Sequence, residues 1–217
     1  MTVHGRQQPL LLDVIRARTS ALHTEAERSG VVGALLRGRA GRRGYGLLLR
    51  NLWPVYRELE SGLETHRDTP GIRDARQPVV YRSAALESDL KALCGPDWCQ
   101  TVAFLPAAQR YASAVADAAN GDGARLLAHV YVRYLGDLSG GQILRELVAR
   151  SLALEESELA FYAYPQLADV AAFKTSYRHD LDRAARTVHD PESVIAEAEH
   201  AFRLNIDLSH EIARQDA

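Results

Sequence analysis

Few cysteines, no long apolar run and no excess of either charge mark this 217-residue chain. Each shortage excludes something. Its two cysteines, Cys94 and Cys99, have four residues between them, not the C-x2-C spacing of zinc or redox sites. They are read as free thiols in a reducing cytoplasm. Lys and Arg number 26 against 28 Asp and Glu, a net charge of −2, so nucleic acid is not an expected partner. No stretch approaches the ~20 apolar residues that span a bilayer. The first residues, from Met1 to Pro9, lack the apolar core and cleavage site of a signal peptide. The tail after Ile206 is polar, and no membrane anchor is expected there. The expectation is a cytoplasmic protein.

Also missing are a Pro/Gly/Ser-rich linker, a fixed-period repeat, a low-complexity segment and any convincing β-type alternation. With 47% apolar residues the chain can bury one substantial core. A single all-α domain over 1–217 is expected, with short flexible ends at 1–8 and 213–217.

What is present is helical periodicity. It predicts helices at Leu10–Glu27, Val31–Leu36, Tyr45–His66, Ser83–Leu93, Pro106–Ala119, Ala124–Leu152, Leu167–Arg186 and Pro191–Ile212. Pro9 suits a first turn, whereas Pro54 falls inside a helix and should kink it. Thr69–Val80 reads as a loop and Gly95–Trp98 as a turn.

One helix is anomalous. Tyr131–Leu144, YVRYLGDLSGGQIL, holds Gly136, Gly140 and Gly141 in its interior, with a carboxylate at Asp137. Each such glycine costs roughly 1 kcal/mol relative to alanine. Arg133, Asp137 and Gly140 share one face by their i, i+4, i+7 spacing, and Gly136 and Gly140 share an adjacent one. Close helix packing through G-x-x-x-G explains Gly136 and Gly140. A bare backbone laid against a flat ligand explains all three glycines and Asp137. Residue chemistry alone leaves both readings open.

The first helix gives a second candidate. Leu11, Ile15, Thr19, Leu22 and Ala26 form a narrow stripe, with His23 at its edge. Arg16 lies two turns before His23 and Glu27 one turn after. Neutral histidine can bind haem iron through one ring nitrogen while a carboxylate orients the other. A half-buried structural histidine is the competing reading. Other features carry less. Glu197-x-x-His200 imitates half of a di-iron site, but its near-partner Asp207-x-x-His210 lies on the same helix. His129, one turn before Arg133, reads as structural. Arg37, Arg39, Arg42 and Arg43 read as a solvated loop that could dock an acidic protein. Lys174 and Arg178 form an i, i+4 basic pair, a clamp if a dianion lies nearby.

Together these segments resemble the haem oxygenase family. YVRYLGDLSGGQ at Tyr131–Gln142 looks like its signature, and Leu22–Glu27, LHTEAE, resembles its proximal-histidine segment. Similar stretches recur at Ala85–Leu90, Pro106–Tyr111 and Ala201–Ile206, so the likeness runs from about Leu10 to Glu211. The resemblance implies haem b sandwiched between a proximal N-terminal helix and a kinked, Gly-rich distal helix. It implies His23 as the iron ligand and Glu27 as its hydrogen-bond partner. Gly136, Ser139 and Gly140 would lie against the haem. Asp137 would order water near dioxygen, supported by Tyr56 and Arg133. Arg16, Tyr131, Lys174 and Arg178 would hold the propionates. Ser20 departs from the family, which often has a basic residue there.

The activity implied is oxidative opening of haem, both substrate and cofactor, by dioxygen. The products are biliverdin, of the alpha isomer, with carbon monoxide and ferrous iron. Electrons would come from a ferredoxin or an NADPH-dependent reductase, and a bilin-using partner could take the product. The alternative is a haem-binding or haem-delivery protein without turnover.

Overall fold

The computed structural model describes residues 10–216, and the expected flexible segment at 1–8 lies outside them. Eleven α-helices follow in chain order among the described residues. They are α1 (Leu11–Arg28), α2 (Gly30–Leu36), α3 (Arg42–Thr65), α4 (Ile72–Ala75), α5 (Ser83–Cys94) and α6 (Trp98–Thr101). The rest are α7 (Pro106–Ala118), α8 (Leu126–Val130), α9 (Gly136–Leu152), α10 (Val170–Ala185) and α11 (Pro191–Asp216). The expected loop at 69–80 contains α4, and the expected Gly-Pro-Asp-Trp turn leads into α6. Both are single-turn helices, too short for a 3.6-residue period to show in sequence.

Two long helices organise the rest. α3 packs against α5 and α7, and α11 against α1, α2, α7 and α8. α3 runs unbroken through Pro54 and buries Tyr45, Leu49, Leu52, Val55, Tyr56, Leu59 and Leu63. α11 extends to Asp216, past the predicted end at Ile212 and through part of the tail expected to be flexible. Ile212 is fully buried there, and Ala213, Arg214 and Gln215 are all good helix formers.

Several polar side chains tie distant segments to this frame. Ser209 on α11 accepts from Val32 N (3.1 Å) and donates to Ser29 O (2.9 Å), clamping the α1–α2 corner. Gly30 sits in that corner at φ +49°, where an added Cβ would lie 2.2 Å from Ser209 O. Only glycine fits. Glu60 on α3 caps α5 by accepting from Arg82 N and Ser83 N. Arg42, assigned by sequence to a solvated basic loop, is instead a strut. It donates to Leu152 O and Ala153 O and pairs with Glu158. Ala153 ends α9 in the left-handed region, at φ 49°. That conformation costs a non-glycine residue about 1–2 kcal/mol, and Arg42 holds it from outside.

Asp89 on α5 is fully buried and accepts from Ala160 N (2.7 Å) and Phe161 N (2.8 Å). Burial pushes its carboxyl up to about 6 against those two bonds. Arg82 reaches the same loop through Phe161 O and Ala163 O. Asp89→Ala should strand two buried N–H groups and lower unfolding free energy by about 2–3 kcal/mol, as read by urea denaturation.

Candidate functional site

The glycine segment is one continuous helical run in which a π-helical turn, Tyr131–Leu135, joins α8 to α9. The irregularity therefore lies just before the glycines, not at them. Gly136 itself is helical at φ −62°, ψ −50°. A wider turn offsets α9 from α8 by roughly one residue's rotation, ~100°. On α9, Asp137 turns inward while Gly136, Ser139, Gly140 and Ile143 are exposed in a row. On the α9 wheel Asp137 stands about 100° from Gly136 and about 60° from Gly140, so it falls just outside the exposed row and points into the interior.

An added Cβ meets nothing within 4 Å at Gly136 or at Gly140. G-x-x-x-G packing requires a neighbouring helix there, and none of the described residues supplies one. That reading is rejected. Gly141 differs: its Cβ would stand in ordinary contact, 3.5 Å from Tyr162 Cδ1, so it faces the interior instead. The open surface is then bare backbone flanked by Ile143, whose exposure of 62% is unusual for so large an apolar side chain.

Directly behind this surface lies a buried polar group. Tyr56 on α3 donates to Asp137 Oδ2 at 2.5 Å. Arg133 donates to Tyr56 Oη at 3.1 Å and to Asn205 Oδ1 on α11 at 2.7 Å. Its Nη2 stands 3.8 Å from Asp137 Oδ1, an ion pair too long for a good hydrogen bond. Burial raises the Asp137 carboxyl, with Arg133 and the Tyr56 bond pulling the other way. Burial also raises Tyr56, which therefore keeps its proton at neutral pH. The result is one carboxyl oxygen fixed by Tyr56 and the other without a hydrogen bond among the described residues.

His23 on α1 keeps 58% of its side chain exposed, so it is not a buried structural histidine. Phe202 of α11 lies beside it, with ring centroids 5.8 Å apart. Glu27 Oε1 is 3.7 Å from His23 Nδ1, within ion-pair reach but beyond hydrogen-bond distance. Leu22, Ala26, Tyr131, Val132 and Phe202 form a small apolar cluster joining α1, the π turn and α11. His23 and Gly136 each lie within one turn of that contact, and both present open faces.

A cationic rim adjoins the cluster. Tyr131 is half-buried, which raises its hydroxyl, and it feels the charges of Arg178, Arg16 and Asp13. Asp13 was not singled out from sequence, yet its Oδ1 accepts from Arg178 Nη2 at 2.6 Å. The i, i+3 spacing of Asp13 and Arg16 on the predicted helix was the available signal. Asn205 was also missed. A lone amide between Leu204 and Ile206 on an apolar helix is the signal for it.

Other candidates separate from this site. His129 is fully buried; its Nε2 lies 3.0 Å from Glu197 Oε1, and Arg125 holds the other oxygen at 3.1 Å. Burial lowers His129, while His129 and Arg125 hold Glu197 down against its own burial. Glu197 is thus committed to an internal ion pair. Among the described residues no group of three or more His, Cys, Asp or Glu could hold a metal ion, which removes the di-iron reading. A cavity of 410 Å³ lined by Gly71, Arg186 and Thr187 uses none of the predicted site residues.

The model of the family described as "Heme oxygenase" matches residues 10–211. The chain belongs to the haem oxygenase family. Human heme oxygenase 1 is 35% identical over 205 residues, 93% of this chain and 71% of that relative. The heme oxygenase 1 of Synechocystis is 33% identical over 202 residues, 93% of this chain and 84% of its own. The crystal structure of heme oxygenase-1 from Synechocystis in complex with heme superposes with a TM-score of 0.86 at 31% identity, covering 95% of this chain and 94% of the other. Heme oxygenase from Leptospira interrogans gives 0.86 at 33%, covering 94% and 100%. Among the described residues no helix is long and apolar enough to cross a membrane.

Proposed function

We propose that this haem oxygenase family member opens haem b oxidatively to biliverdin, releasing carbon monoxide and iron. Its haem would lie between α1 and α9. The open backbone at Gly136 and Gly140 carries this reading, because no packing role explains it. The remaining groups suit the same ligand. His23 offers an accessible imidazole beside apolar Phe202. Arg16 and Lys174 make no ion pair among the described residues, and with Tyr131 and Arg178 they would meet two propionates.

Bound haem supplies the iron that takes up dioxygen and electrons, and is itself the molecule degraded. The chain's own groups do the rest. His23 Nε2 would hold the iron while Nδ1 faces Glu27, whose carboxylate favours the tautomer with a proton on Nδ1. The bare wall of α9, with Ser139 at its edge, keeps acidic side chains off the oxygen directly. Asp137 would pass protons through water, since burial makes its carboxyl hold a proton more readily than a surface aspartate. Tyr56 and Arg133 position that carboxyl, and Asn205 fixes Arg133. Electrons would come from a ferredoxin or NADPH-dependent reductase in the cytoplasm. Exposed Arg39 and Arg43 offer cations to an acidic donor, and the product would pass to a bilin-using partner.

The deciding experiment supplies purified protein with haem, reduced ferredoxin and oxygen, and follows biliverdin absorbance. Haem binding without biliverdin would instead support a delivery protein. Gly140 provides a second test. Gly140→Ala should raise stability by about 1 kcal/mol, because the Cβ meets nothing and alanine favours helix. Gly140→Leu should fold as well but weaken haem binding about tenfold or more, as overpacking by 1–3 kcal/mol would. Unchanged haem affinity in Gly140→Leu would remove α9 from the haem contact.

A further inference from the structure

Arg50 has no part in the chemistry above, yet its surroundings are unusual. It projects from α3 and is only 7% exposed. It makes no ion pair among the described residues, and its buried Nε has no hydrogen-bond partner. Aromatic rings surround the guanidinium: Phe104 at 4.9 Å, Trp98 at 5.4 Å and Trp53 at 5.9 Å. Arg57 covers the same Trp53 at 4.7 Å, adding a second positive charge. Ring faces partly compensate a cation but cannot satisfy its N–H donors. Among the described residues the side-chain hydrogen-bond partner of Arg50 is a thiol: Nη2 lies 3.9 Å from Sγ of Cys99, which is exposed. Burial lowers Arg50, so an anion placed beside it would be favoured.

We propose that Cys99 is an oxidant-sensitive thiol whose anionic forms Arg50 stabilises, with hydroperoxides as its substrate class. A buried cation lacking a carboxylate partner favours whichever anion reaches its free N–H groups. Sγ of Cys99 stands 3.9 Å from Nη2 of Arg50, where a sulfenate oxygen would supply that anion. In the step, the thiolate sulfur attacks one peroxide oxygen. The S–O bond forms as the O–O bond breaks. Sulfur loses two electrons, and the departing hydroxide takes a proton to become water. The new oxygen gives Arg50 the charged acceptor it otherwise lacks. Cys94, half-buried at the end of α5, has no such cation hydrogen-bonded to it, and burial raises its thiol. It serves as the internal control.

The test treats the full-length protein with hydrogen peroxide, traps sulfenate with dimedone and locates the label by mass spectrometry. Label should appear on Cys99 before Cys94, and Arg50→Gln should slow Cys99 labelling about three- to tenfold. Arg50→Lys, which retains the charge, should keep most of the rate. Folding is checked by circular dichroism. A variant-free measurement guards against an unstable Arg50→Gln protein. An anionic disulfide reagent should outpace a neutral one at Cys99 by more than it does on a free peptide of residues 95–101, and salt should shrink the difference. A reagent ratio equal to that of the peptide, a folded Arg50→Gln protein with wild-type labelling, or label on Cys94 first would overturn the assignment.

Discussion

His23→Ala is expected to leave the protein folded and to reduce biliverdin formation about 100-fold or more. Two separate arguments support the two halves. His23 is 58% exposed and lies beside Phe202 and Glu27, so removing it deletes little packing. Surface changes of that kind usually shift stability by no more than about 0.5 kcal/mol. Loss of a group that merely orients a metal ligand costs about 10–100-fold in affinity or activity, and loss of the ligand should cost at least that. The measurement is the absorption spectrum of the haem complex beside the melting curve. Free imidazole, filling the vacated volume, should restore much of the wild-type spectrum. An unchanged spectrum in His23→Ala would rule out His23 as the ligand. Glu27→Gln should have a far smaller effect, because 3.7 Å is too long for Glu27 to hold the ring firmly.

The second large effect is expected at Asp137. Asp137→Ala should bind haem within about threefold of wild type, yet form biliverdin about 10²- to 10⁴-fold more slowly, the range for a lost proton-transfer group. The carboxyl stands behind the glycine wall, so truncating it spares the open surface against which haem would rest. It does leave the buried Arg133 with only the neutral Tyr56 hydroxyl and Asn205 amide as partners. Asp137→Asn separates the two effects, since it keeps an acceptor for the Tyr56 hydroxyl without the charge. Both variants should fail in turnover while showing similar haem titrations. Full biliverdin yield from Asp137→Ala would exclude the carboxyl from the reaction. Tyr56→Phe, which removes only the positioning bond, should fall between Asp137→Ala and wild type.

Much of this was visible in the sequence because it depends on local rules. Helix positions came from the 3.6-residue period and were accurate to a few residues wherever a helix was long and one-sided, as in α1, α3 and α11. His23 and the Gly136–Gly140 segment stood out because each broke a local pattern: an imidazole at an apolar edge, and helix-weakening glycines in a helix. Local rules misjudged residues whose partners are remote in sequence. Arg42 looked solvated until Glu158 and two carbonyls of the α9 end reached it. Arg178 looked like half of a free basic pair until Asp13, 165 residues away, was found on it. Gly141 looked like a third ligand-facing glycine until Tyr162 occupied that side.

By itself the sequence determined that this chain is all-helical, that its apolar stripes suffice for one core, and that His23 and the Gly136–Gly140 segment are exceptional. Those properties follow from spacing along a single helix, where neighbours are fixed by geometry. Only the tertiary structure decided between close packing and an open surface at Gly136 and Gly140, because that depends on what stands opposite an absent Cβ. It also decided that Asp137 meets Tyr56, since a π turn no periodicity rule anticipates sets the rotation of α9 as a whole. Which charges meet across helices is likewise a matter of packing, and packing is what brings the two odd segments together around one apolar cluster.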